Sequence, residues 1–152
     1  MTPAVRVQAE PFDAAAEEAA LAAGRTDVGA VVAFTGYCRD ENGALEALEL
    51  EHYPGMAEEE IARVAHEALA RWPLLGLTVI HRYGLIRPGE KIVLVICAAR
   101  RRAEAFAAAE FLMDYLKTRA PFWKKERRAG GADGGWVAAK AEDDAAAQRW
   151  RE

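Results

Sequence analysis

Hydrophobic and polar positions follow two rhythms along this chain. "AVRV" (4–7) predicts a short first strand, and "AAAEEAALAAG" (14–24) a helix capped by Asp13 and ended by Gly24. "VGAVVAFTGYC" (28–38) is β-branched and aromatic, which predicts a buried strand running into the polar turn "RDENG". "ALEALELEHY" (44–53) predicts a strand with Leu48, Leu50 and His52 on one face and Glu49 and Glu51 on the other. After Pro54-Gly55 the rhythm changes. Ile61, Val64, Ala65, Ala68, Leu69 and Trp72 recur at helical spacing, and Pro73 stops the helix. "GLTVIHRYG" (76–84) and "KIVLVICAA" (91–99) predict two strands joined across "LIRPGE", whose Pro88-Gly89 favours a turn. "RRRAEAFAAAEFLMDYLKTRA" (100–120) predicts the longest helix, and Phe106 and Met113 on it are expected in the core. "RAGGADGG" (128–135) reads as a flexible loop, "WVAAK" as a last short strand and "DDAAAQRW" as a terminal helix. Adjacent strands between helices, with no repeat and no linker, predict an α+β fold of one domain over residues 1–152.

Charge adds a feature that the pattern does not show. The chain is acidic, with a formal charge of −4, yet residues 117–128 hold six of its 20 basic side chains and only one of its 24 acids, Glu126. Only five of the basic residues are Lys, and Lys117, Lys124 and Lys125 fall in this stretch. Lys can give up a proton near neutral pH in a suitable site, and Arg cannot, so Lys among arginines points to proton transfer. A solvated helix end with favourably placed cations explains one or two of the charges. The acidic balance argues against general nucleic-acid binding. No apolar run reaches the roughly 18 residues of a membrane span. The first residues lack the pattern of a signal peptide, and Cys38 and Cys97 give no disulfide framework, so the cytoplasm is the expected compartment.

Other chemistries find little support. His52, His66 and His81 lie at no metal-ligand spacing, and each reads first as a structural imidazole. No phosphate loop and no serine-nucleophile motif occurs. Chemistry here must rest on cations. Arg39 leaves an apolar strand, either as a site residue or paired with Asp40 or Glu41. "RRR" (100–102) opens the long helix, where cations oppose the helix dipole unless an anion binds. Arg102 and Lys117 stand roughly 22 Å apart along one helix, too far for one small ligand. Either the two clusters serve two sites, or two copies of the chain assemble one.

The segments "VVAFTGYCRD", "LELEHYPGM", "RWPL", "VIHRYG" and above all "MDYLKTRAPFWK" resemble the large, catalytic subunit family of molybdopterin synthase over nearly the whole chain. That resemblance implies a hammerhead-type α/β fold, with a mostly antiparallel sheet and flanking helices. It implies a homodimer with a small ubiquitin-like partner at each end, a heterotetramer. The partner's C-terminal Gly-Gly thiocarboxylate supplies sulfur to cyclic pyranopterin monophosphate, making the dithiolene of molybdopterin. No other cofactor is implied. The family's essential lysines fall on Lys117 and Lys124, and its strand-exit arginine on Arg39. Its His-Arg pair at the long helix falls on Arg101-Arg102, so an arginine stands where the family has His. Phe34 and Met113 match apolar residues near the pocket, and Lys140 matches a basic position. Like charges around Lys117 would favour its neutral form and suit it to proton exchange.

Two rival readings differ in class. A non-catalytic module would use the basic knot to grip an acidic protein tail. An RNA-binding domain would need cations spread along a groove with exposed aromatics.

Overall fold

The computed structural model describes residues 1–40, 42–119, 121–128, 133–137 and 141–151. Among the described residues, eight strands form two four-stranded sheets, and four α-helices pack around them. The first sheet has the order β1-β4-β6-β2, from β1 (Ala4–Gln8), β4 (Leu74–Arg82), β6 (Lys91–Ala99) and β2 (Ala30–Tyr37). β1 runs parallel to β4, and the other pairs are antiparallel. The second sheet has the order β5-β3-β7-β8, from β5 (Gly84–Ile86), β3 (Leu45–His52), β7 (Phe122–Arg128) and β8 (Asp133–Val137), all antiparallel. The architecture is α+β. No helix among the described residues is long and apolar enough to cross a membrane.

The central strand β6 explains its own sequence. Val93, Val95 and Cys97 pack with Ile61, Val64 and Ala68 of α2 (Met56–Arg71) and with Ala105, Ala108, Phe111 and Leu112 of α3 (Arg102–Arg119). Leu94 and Ile96 enter a second cluster on the opposite face, with Ala14 and Leu21 of α1 (Ala14–Ala22). A strand covered on both faces has no polar alternation to show, hence the unbroken run. Cys97 is fully buried, and burial pushes its thiol up to about 12. The Asp13 carboxylate accepts the Ala16 N–H at 3.1 Å, the helix cap that its position predicts.

Four expectations change. β2 is not a buried strand: it pairs with β6 on one side only, and Phe34 and Tyr37 are 39% and 56% exposed. Apolar, β-branched composition selects a strand but not its place in the sheet order. Phe106 is 60% exposed, because α3 turns Ala105, Ala108, Phe111, Leu112, Tyr115 and Leu116 inward instead. Lastly, the stretch from Phe122 to Arg128 is strand β7, and β8 takes in Asp133 to Gly135, which the glycine-rich composition assigns to a loop. The "LI" of "LIRPGE" likewise forms β5: the chain turns at Gly84, at φ 91°, and crosses into the second sheet.

The second sheet is held differently. Its small core is Cys38, Leu45, Leu50 and Ile86, with Leu48 and Ile92 packed against it. β7 is paired to β3 in a register that sets Lys125 opposite Glu49 and Lys124 opposite Leu50. Arg127 donates to Glu49 at 3.0 Å, and Arg128 pairs with Glu126 at 2.5 Å. Part of the basic knot is thus charge pairing, across the strands from Arg127 to Glu49 and within β7 from Arg128 to Glu126.

Candidate active site

The knot divides along the pleat. Phe122 and Lys124 lie on the face of β7 turned toward the first sheet, where both line a cavity with Lys117, Met113 and Leu116 of α3. Gly36 of β2, His81 of β4, and Ile92 and Val93 of β6 complete the wall. The cavity encloses about 90 Å³. Among the described residues, its charged side chains are the two lysines, which arrive from different elements seven positions apart in sequence. Gly36 is required there: a Cβ on it would lie 2.7 Å from Val93 Cγ1 and 3.4 Å from the Phe34 ring.

His81 is the member of this wall that sequence reasoning set aside. It is 8% exposed, and its ring stacks on Phe122 with centroids 3.9 Å apart and planes 14° apart. Nδ1 lies 2.8 Å from the Arg82 carbonyl oxygen. Burial, then the nearby Lys124, Lys117 and His52, push its pKa down from 6.5 to about 4, so the imidazole is neutral at physiological pH. The available signal was a lone aromatic polar residue closing the apolar run "LTVIH".

The remaining expected site residues are spread over the same molecule. Arg39 is exposed, three positions beyond Gly36. Asp40 is occupied in the turn, accepting the Gly43 N–H at 3.0 Å, and Glu41 lies outside the described residues. Phe34 sits beside Gly36 but not in the cavity wall. Arg101 and Arg102 are exposed at the far end of α3. Lys140 lies outside the described residues. Within one chain, then, the fold joins Lys117, Lys124 and Met113 and leaves Arg39, Phe34, Arg101 and Arg102 outside the cavity.

A family model described as "MoaE protein" matches residues 7–119. The chain belongs to the MoaE protein family. The molybdopterin synthase catalytic subunit of Mesorhizobium japonicum is 68% identical over 151 residues, covering 99% of this chain and 95% of that one. The solved structure of the molybdopterin biosynthesis MoaE protein from Burkholderia ambifaria superposes with a TM-score of 0.83 at 46% identity, covering 98% of each chain. Molybdopterin synthase from Staphylococcus aureus gives a TM-score of 0.77 at 28% identity, covering 87% of this chain and 95% of that one. In this MoaE-family chain Lys117 falls inside the matched family segment, whereas Lys124 lies beyond it on β7.

Proposed function

We propose that this chain is the catalytic subunit of a molybdopterin synthase. It transfers sulfur from the C-terminal thiocarboxylate of a small ubiquitin-like partner to cyclic pyranopterin monophosphate, building the dithiolene of molybdopterin. The meeting of Lys117 and Lys124 in one cavity carries this reading. Both the thiocarboxylate tail and the cyclic phosphate are anions, and a pair of ammonium groups suits both. Lysines also exchange protons as carbon–sulfur bonds form and oxygen departs. Lys117 and Lys124 take the catalytic roles. Arg39, Arg101, Arg102, Phe34, Met113 and Lys140 bind substrate. The partner brings the sulfur, so no other cofactor is invoked. The whole chain acts as one domain, and the cytoplasm suits its two buried free thiols.

The site is completed by a second copy. A cavity of about 90 Å³ is small beside the roughly 300 Å³ at which ligand pockets begin. Among the described residues, the outer edge of β2 has no strand partner, and it carries exposed Phe34 and Tyr37. Antiparallel pairing of two such edges about a two-fold axis sets the Ala30 end of one strand beside the Gly36 end of the other. At that Ala30 end, the Gly29 N–H donates to the Ala99 carbonyl at 2.9 Å, so Arg101 and Arg102 accompany it. They would then meet the partner copy's cavity, and one protomer would bind one small subunit at each end of a heterotetramer.

The test mixes two dead chains. Arg102→Ala and Lys117→Ala homodimers are each nearly inactive with thiocarboxylated partner and pterin substrate, read out as dithiolene. After subunit exchange, half of the dimers hold one intact pocket, and about a quarter of the wild-type activity returns. A mixture as inactive as its parents, with exchange proven, removes the shared site. Wild-type chain that makes no dithiolene removes the proposed activity.

A further inference from the structure

The cavity that holds Lys117 and Lys124 also holds a neutral hydrogen-bond acceptor, and its geometry is tightly set. A backbone carbonyl only accepts, so the contact between the Arg82 carbonyl and Nδ1 places the ring proton on Nδ1. Nε2 therefore keeps its lone pair. The anchor is rigid: the Arg82 guanidinium, itself 6% exposed, donates twice to the Ala9 carbonyl, at 3.0 and 2.9 Å, and once to the Lys91 carbonyl at 3.2 Å. The ring plane is fixed as well, by the stack on Phe122. Phe122 stands two residues before Lys124 on the same face of β7, so the stack ties the strand that carries one lysine to the strand that carries His81.

We propose that His81 is a positioning residue, whose Nε2 accepts a hydrogen bond from the lysine ammonium groups of the cavity, Lys124 foremost. The inference rests on the sulfur-transfer reading of this site. The choice of acceptor has a physical reason. A carboxylate would hold the lysines equally well but would cancel the charge that an anionic substrate needs. An imidazolium would add a third cation and could accept nothing. A neutral imidazole orients the ammonium and leaves its charge intact. The groups around it keep it so. Lys117 of α3, Lys124 of β7 and His52 of β3 all act against its protonation, and its neighbours in register, Val7 on β1 and Val93 on β6, carry no charge.

Two substitutions separate the acceptor from the ring. His81→Phe keeps a flat ring against Phe122 and removes the acceptor. His81→Gln removes the ring and keeps an acceptor at similar reach. In the complex with thiocarboxylated small subunit, His81→Phe is expected to lose roughly 10- to 100-fold in kcat, the scale of a hydrogen bond to a charged group, with KM for the pterin little changed. The titrating limb of its pH–rate profile should move to lower pH, because an ammonium without its acceptor sheds its proton more readily. His81→Gln should recover most of kcat and the wild-type profile. His81→Phe with wild-type kcat and profile overturns the proposal. So does loss in both variants that follows their thermal unfolding, which would mark a merely structural ring. Nitrogen-15 NMR of the wild-type complex gives a readout without turnover. Protonation at Nδ1 and a lone pair at Nε2 near pH 7 are expected, and the opposite tautomer overturns the proposal even if the enzyme is active. A wild-type complex without product, but with the expected tautomer, refutes the reaction and leaves the geometry standing.

Discussion

The two sheets of this protein are stabilised by different physics. The first is buried on both faces around β6, and its strands are written as apolar runs. Among the described residues, the second has a core of four buried residues and is tied across β3 and β7 by the pair Glu49 with Arg127, while Glu126 pairs with Arg128 within β7. One sheet supplies a rigid platform, and the other brings a polar edge to it. The two lysines sit where the sheets meet, one on α3 over the first sheet and one on β7 of the second. A site between two such regions gains precision from the first and takes one cation from each.

The comparison is broken most severely at the lysines. Lys117→Arg keeps the charge and forfeits the exchangeable proton. Turnover should fall by roughly 10²- to 10⁴-fold, the usual worth of a general acid–base group, while thermal unfolding is unchanged. Near wild-type product formation would show that charge alone suffices. Next in size is the platform. Leu94 is fully buried, and Leu94→Ala should cost about 2–5 kcal/mol of unfolding free energy by denaturant titration.

A third measurement reaches the junction through pH. His81 has its pKa lowered from 6.5 to about 4, so the unfolded chain takes up this proton before the folded one. Its contribution to stability is therefore complete above pH 6.5 and is lost as pH falls toward about 4. The loss approaches about 3 kcal/mol. His81→Phe lacks this term, so its stability should gain on the wild type's by that amount between pH 7.5 and pH 4 in paired denaturant titrations. A constant difference across that range would mean that the imidazole titrates normally. The smallest effect belongs to the second sheet. Arg127→Ala should cost less than about 1 kcal/mol, and the difference from wild type should shrink further in high salt.

What the sequence disclosed follows the same division. Runs such as "IVLVICAA" could be assigned because burial on both faces leaves an unbroken apolar stretch, and the helix Met56–Arg71 because burial of one face leaves a periodic pattern. β7 could not, because "FWKKERR" runs five charged residues together with no apolar alternation, and Arg127 finds its partner only in Glu49, 78 positions away. The edge position of β2 was hidden for a related reason: strand order is a long-range property, and composition is local. Within the site, the scarcity of lysine pointed to Lys117, Lys124 and Lys125 alike; the fold joins the first two in one cavity and sets Lys125 opposite Glu49. His81 gave no such signal, since an imidazole at the end of an apolar strand has the same letters whether it is a filler or an acceptor. Its meaning lies in what the Arg82 carbonyl and the Phe122 ring do to it.

The N-terminal approach to β2 holds one more consequence. A Cβ on Gly29 would fall 2.0 Å from the backbone oxygen of Arg100. Two stretches of main chain, one entering the edge strand and one leaving for the arginine-rich start of α3, therefore touch because a methyl group is missing. The gap between edge and arginines is set by that absence, as a shim sets the clearance of a bearing. Anyone transplanting this edge and its arginines to another scaffold must carry the glycine with them. Even alanine at that position would wedge the two apart, whatever the rest of the loop from Arg25 to Val28 became.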